Sequence, residues 1–156
     1  MTSIIGGNLE QAQHNHFMQT ITVSDQLRLA PLELSDADEL FSLTETNRSG
    51  LRKWLPWLDT IRRVDDTRAF IRAGQLQSRR NNGAQLAIKS GGRIAGIVGH
   101  HRIDWRNRLT TLGYWRGSKY QGQGLVTASC GALIEHAFND LRLNRIEIRC
   151  AVDNQK

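Results

Sequence analysis

Cysteine is scarce, with only Cys130 and Cys150, and neither falls in a C-x-x-C pair or a Cys/His spacing of the zinc-finger kind. A disulfide framework and a cysteine-held metal are therefore not expected, and no metal site is predicted. No apolar run approaches the ~18 residues that would cross a bilayer, and the N-terminus lacks a basic-then-apolar leader. No basic tract reaches five residues; the densest clusters are Arg62-Arg63 and Arg79-Arg80. Aromatics do not interleave with these clusters, and no nucleic-acid motif is present, so specific nucleic-acid binding is not expected. The absences together describe a soluble, cytoplasmic protein with no membrane partner. They also leave no repeat and no low-complexity linker.

What remains is ordinary globular material. Hydrophobic residues make up 39% and charged residues 23% of 156 positions, which suits one folded domain. The net charge of +6 favours acidic partners such as phosphates or acidic proteins. Residues 1–19, with "GGNLEQAQHNH", read as a flexible arm. Residues 20–156 read as a single domain.

The periodicity gives a mixed α/β order. "ITVSDQLRLAPLEL" alternates Leu27 and Leu29 and predicts a strand interrupted near Pro31. Ser35 and Asp38 have capping-box spacing before a stripe of Leu40, Phe41 and Leu43, which predicts a helix. "SGLRKWLPWLD" predicts a short helix ending before Pro56. Asp65 and Asp66 open a further helix that Arg79 and Arg80 close, with charges placed to suit its dipole. Asn81-Asn82-Gly83 stops it. Strands are predicted at 84–89, 94–104 and 108–115, the first two joined by a "SGGR" hairpin turn. Residues 125–139 predict a helix with Leu125, Ala128, Ala132, Leu133, Ala137 and Phe138 inward. "NRIEIRCAV" alternates as a last strand, with Ile146, Ile148, Cys150 and Val152 on one face. A right-handed crossover would set that strand parallel to 108–115.

Between strand and helix lies the turn Gln121-Gly122-Gln123-Gly124. A strand, a glycine turn and a helix N-terminus make an anion site, because the first helical N–H groups lack partners and sit at the positive end of the dipole. The turn is neither a G-x-x-x-x-G-K-[ST] nucleotide loop nor a G-x-G-x-x-G fingerprint. On spacing alone, a plain connector and an anion cradle both stand.

The residues around it narrow the choice. Q-G-Q-G-L-V at 121–126 resembles the Q/R-x-x-G-x-G/A motif of the GNAT acetyltransferase superfamily, with Val126 at a position usually Gly or Ala. "LRKWLPWLD" at 51–59, "HRIDWRNR" at 101–108, "LGYW" at 112–115 and "VDNQK" at 152–156 resemble its RimJ/RimL type, which acetylates protein N-termini, notably of ribosomal proteins. The resemblance runs from about Leu27 to the last residue. It implies a mostly antiparallel sheet with helices on both faces and one parallel strand pair splayed where acetyl-CoA binds.

The resemblance also implies roles. Leu112, Gly113, Tyr114 and Trp115 would offer backbone to the pantetheine arm. Gln121, Gly122, Gln123, Gly124, Leu125, Val126 and Thr127 would hold the pyrophosphate, with Asn154 completing the donor site. Tyr114 (or Trp115) would supply a backbone N–H to the oxyanion, His101 would act as base or water-positioner, and Asn154 would join the catalytic set. Thr111 stands where many relatives carry Glu. Trp54 and Trp57 are candidates for an acceptor wall or for core anchors. Cys130 and Cys150 read as packing, and Glu147 as a surface ion-pair residue. The family pattern N-x-x-S would continue beyond Lys156 into a helix and hairpin, so a C-terminally truncated domain, impaired in turnover, is expected.

The resemblance leaves the acceptor open. A protein α-amine leads, and a polyamine or aminoglycoside is the enzyme alternative. A non-catalytic coenzyme-binding module is the alternative of another class. A homodimer is a further partner the type allows.

Overall fold

The computed structural model describes residues 16–154. Its strands are β1 (Ile21–Thr22), β2 (Leu27–Pro31), β3 (Gln85–Ser90), β4 (Arg93–Asp104), β5 (Leu109–Arg116) and β6 (Arg145–Ile148). Its helices are α1 (Ala37–Leu51), α2 (Val64–Arg79) and α3 (Leu125–Asn139). The strands form one sheet in chain order, β1 to β6. Every neighbouring pair is antiparallel except β5–β6, which is parallel as the crossover through α3 predicts. The β3–β4 turn is the expected hairpin, with Gly91 (φ 56°) and Gly92 (φ 81°) in the left-handed region it needs.

Two apolar layers cover the sheet. Under α3, Leu133 and Ala137 pack with Leu29, Leu86, Val98 and Leu112. On the other face, Leu40 of α1 and Ile71 of α2 pack with Ala87, Ile97 and Trp115. Leu112 and Trp115 are three residues apart on β5, so the pleat sends them to opposite layers. Burial pushes the Cys130 thiol pKa up, which suits its place as an inert packing group in the α3 layer.

Several local expectations shift. The cap before α1 is Asp36, which accepts the Glu33 N–H at 2.9 Å, rather than a Ser35–Asp38 box. A single 3₁₀ turn at Leu34–Asp36 moves the start of the helix. Pro56 does not end a helix; it opens a 3₁₀ turn, Pro56–Thr60, where its missing N–H leaves nothing unpaired. Arg48 of α1 holds that turn by donating to the carbonyls of Leu58 and Ile61. Pro31 is the last residue of β2, beyond the stretch that β1 pairs. Asp66 caps α2 as its charge suggested, accepting the N–H groups of Arg62 and Arg63 at 2.9 Å each. Those two bonds hold its carboxyl below the usual range.

The ends differ more. Phe17, counted with the arm, is buried against the rings of His100 and Trp105; residues 1–15 lie outside the described residues. Phe138 is exposed rather than inward. β6 stops at Ile148, so Cys150 and Val152 are exposed and do not pack in a core. Alternation extends a strand only where a neighbour carries the ladder, and the β5 ladder ends at Leu112–Ile148. Among the described residues, no helix is long and apolar enough to cross a membrane.

Candidate active site

The end of that ladder makes the site. β5 continues from Gly113 to Arg116 with β4 on one side and no β6 partner on the other. The direction of its backbone groups follows from β4. His100 donates its N–H to the carbonyl of Ala84, the residue before β3, at 3.0 Å, so its neighbour Gly99, and Ile97 with it, bond across to β5 at Gly113 and Trp115. Tyr114, between them, turns its N–H and C=O the other way, into the open seam. Of Tyr114 and Trp115, the ladder thus leaves Tyr114 with its backbone groups in the seam.

A cleft of about 700 Å³ opens at this seam. Tyr114, Trp115, Gln121, Gly122, Gly124, Leu125, Val126, Thr127 and Asn154 line it, together with Trp54. The sequence had scattered these residues over four separate stretches, and the fold brings them to one place. Leu112, Gly113, Gln123 and His101 are not part of its lining. Leu112 is buried under α3 as the last residue paired to β6. Gln123 folds its side chain back, donating to the Lys119 carbonyl at 3.1 Å.

The turn has the cradle geometry. Gly122 and Gly124 have φ of 75° and 71°, and a Cβ on either would meet no atom within 4 Å. Glycine is needed here for the left-handed backbone, while the space in front of it is open. Gly124 is the N-cap of α3, and its carbonyl takes the N–H of Ala128 at 3.0 Å. The N–H groups of Leu125, Val126 and Thr127 precede that first helical bond and face the turn.

α1 is fastened to the same loop. Asn47 accepts the Ser118 N–H at 2.8 Å and donates to the Leu43 carbonyl at 2.8 Å. Gly117 allows the approach: a Cβ there would be 2.8 Å from the Leu43 side chain. Asn47, Leu51, Leu55 and Asp153 line the cleft too, and the sequence reading missed them. Asn47 looked like one more polar residue on a helix, and only its burial marks it out.

His101 sits where the β4–β5 register slips. His100 pairs with Leu112 and Ile103 with Thr110, so His101 and Arg102 together face Thr111. The bulge lays the exposed His101 ring over Gly113, just before Tyr114. His100, adjacent in sequence, points to the opposite layer. It is buried, accepts the Ala84 N–H through Nδ1 at 3.1 Å, and has its pKa pushed down to about 4 by desolvation, with His136 adding to the shift. The two tryptophans also part ways. Trp54 lines the cleft, whereas Trp57 stacks on Phe70 of α2 at 6.3 Å and an interplanar angle of 5°. Glu147 is an ion-pair residue between Arg145 (2.8 Å) and Arg149 (2.9 Å). The latter's side chain leads the groups that hold the Glu147 carboxyl below its usual range.

Comparison with known proteins identifies the family of the fold. Residues 26–156 match the acetyltransferase (GNAT) domain family. The chain is 34% identical over 140 residues to the putative ribosomal N-acetyltransferase YdaF of Bacillus subtilis (strain 168), covering 89% of this chain and 76% of that one. It is 29% identical over 136 residues to the ribosomal-protein-serine acetyltransferase of Escherichia coli (strain K12), covering 87% and 76%. Among solved structures, RimL, a ribosomal L7/L12 alpha-N-protein acetyltransferase in complex with coenzyme A, superposes with a TM-score of 0.85 at 28% identity. That match covers 88% of this chain and 77% of RimL. The chain belongs to the GNAT acetyltransferase family. Within it, the likeness runs to the RimL type of N-acetyltransferase.

Proposed function

We propose that this chain transfers the acetyl group of acetyl-CoA directly to an amine, and that the amine is the N-terminal α-amine of a ribosomal protein. The observation that carries the proposal is the open seam: β5 runs past its last β6 partner and ends in a left-handed glycine turn at a helix N-terminus. The names of the relatives support the acceptor class. A cytoplasmic setting fits such an acceptor.

In this reading the pantetheine arm adds to the free edge of β5 from Gly113 to Arg116, as a strand would. The pyrophosphate lies on the N–H groups of Gly124 to Thr127, where the α3 dipole adds to the hydrogen bonds. The thioester carbonyl then accepts from the Tyr114 N–H. That bond strengthens as the oxygen gains charge in the tetrahedral intermediate, an effect on the order of 3 kcal/mol for a single such donor.

The acceptor amine arrives as ammonium and must lose a proton before it can attack. His101, on the α1–α2 face beside Gly113, takes that proton directly or through one water. The amine nitrogen bonds to the carbonyl carbon, the C–S bond breaks, and the coenzyme departs as thiolate, while the second proton of that nitrogen passes to the thiolate or to water. Asn154, on the cleft wall, donates its amide N–H to that sulfur. Trp54 forms the acceptor side of the cleft. Arg52 is drawn to Asp59 at 3.0 Å, which leaves Lys53 as the exposed cation next to Trp54.

The test is an acetylation screen read by mass spectrometry, with acetyl-CoA and N-terminal peptides of ribosomal proteins whose lysines are blocked. Acetylation of the α-amine supports the proposal. Transfer only to polyamines or aminoglycosides moves the acceptor to small amines. Coenzyme binding with no acetylated product identifies a binding module.

A further inference from the structure

A second cluster lies at the far end of α3. His136 and Asp140 are one helical turn apart at the C-terminal end of that helix, and the fold brings His16 against them. One ligand atom from each of the three lies within 4.8 Å of the other two. The His16 and His136 rings meet edge to face at 5.7 Å, and His136 Nε2 is 3.9 Å from Asp140 Oδ2. Nε2, the His136 nitrogen that faces Asp140, is the one a shared ion would take.

We infer that His16, His136 and Asp140 form a binding site for a divalent transition-metal ion of the zinc class. Two imidazoles and one carboxylate are a donor set that zinc accepts in tetrahedral geometry, leaving one position for water. Zinc–ligand distances near 2.1 Å set ligand atoms about 3.4 Å apart in a tetrahedron. Small side-chain rotations bring the present spacing to that value. No sequence spacing announced the site, because His16 joins it only through the fold.

Its place gives it a role. α3, at about 1.5 Å per residue, separates the cluster from the Gly124 turn by roughly 20 Å, so the ion does not touch the acetyl-transfer chemistry. It ties the chain before β1, where Phe17 enters the core, to the end of α3. The metal is thus a structural clasp across the first and last thirds of the domain.

The experiment uses the full chain stripped with chelator, then titrated with Zn²⁺ by calorimetry and with Co²⁺ by visible absorption. Wild type should bind zinc and show the d–d bands of tetrahedral cobalt. Its Tm should rise by ~5 °C or more at a hundredfold excess over Kd. His16→Gln and Asp140→Asn, both at partly exposed positions, should keep the metal-free Tm, lose the metal-induced rise and weaken zinc by at least about tenfold, the least expected when even outer-sphere partners cost that much. Zinc bound equally by wild type and both variants, or no rise in Tm for wild type, overturns the site.

Discussion

The imidazole of His101 lies on the bare face of Gly113: a Cβ at position 113 would stand 2.6 Å from Nε2 and 3.0 Å from Cε1. The bulge in β4 supplies the ring and the glycine supplies the seat. Gly113→Ala must therefore move His101. If His101 handles the ammonium proton, His101→Gln should lower kcat by ~10²–10⁴-fold, and Gly113→Ala by about tenfold or more. Acetyl-CoA affinity should hold in His101→Gln. An unchanged kcat would remove His101 from the chemistry.

The tryptophans should separate in a paired experiment. Trp54→Ala should raise the acceptor KM by roughly tenfold, as loss of an aromatic contact with a bound partner does, with thermal stability nearly kept. Trp57→Ala removes the stack on Phe70 and should cost about 1–2 kcal/mol of stability, read by denaturant melts, while the acceptor KM stays put. A larger KM effect at Trp57 than at Trp54 would reverse the assignment.

Asn47 joins stability to the donor site. Asn47→Ala leaves the Ser118 N–H without its partner and should cost about 1–3 kcal/mol. Loosening that loop should also weaken acetyl-CoA severalfold in a binding titration. Affinity equal to wild type would mean that the loop holds its shape without α1.

Acid should act on the fold through buried His100. Its folded pKa of about 4 lies below the ordinary 6.5, so the folded state binds fewer protons than the unfolded chain. Its contribution is complete above pH 6.5 and is lost as pH falls from there through 4. The loss is on the order of 3 kcal/mol. Urea melts of metal-free protein should show stability falling across that window. His100→Asn, which keeps an acceptor for the Ala84 N–H, should reduce the fall, and His136, whose pKa burial also lowers, supplies the remainder. The hydrogen-bonded carboxylates of Asp66 and Asp104, held low by N–H donors, act only at lower pH.

Much of the fold was legible in the sequence because local pattern and tertiary need agreed. The residue 125–139 helix, the "SGGR" hairpin and the parallel last strand follow from spacing and glycine alone. The glycine turn before α3 was legible too, and its reading as an anion cradle came from the motifs around it. Patterns misled where the deciding partner is distant in sequence. Cys150 and Val152 alternate with Ile146 and Ile148, yet no neighbouring strand reaches them. Phe17 looked like part of a polar arm, but His100 and Trp105 hold it. Asn47 is polar on a helix, and nothing local says that it reaches Ser118. His101 was singled out from its motif; its bed on Gly113 depends on a register slip that no periodicity encodes.

The most direct test of the account compares two donors on two proteins by isothermal titration: acetyl-CoA and acetyl-pantetheine, which lacks the pyrophosphate, on wild type and Gly124→Val. Gly124 holds a φ of 71° that a β-branched residue resists. Wild type should bind acetyl-CoA at least about tenfold more tightly than acetyl-pantetheine, since charge-assisted bonds of this kind are worth ~1.5–3 kcal/mol each. Gly124→Val should keep a folded circular-dichroism spectrum and lose that preference. Equal binding of the two donors by wild type, or an unchanged acetyl-CoA Kd in Gly124→Val, would contradict the pyrophosphate cradle on which the proposed function rests.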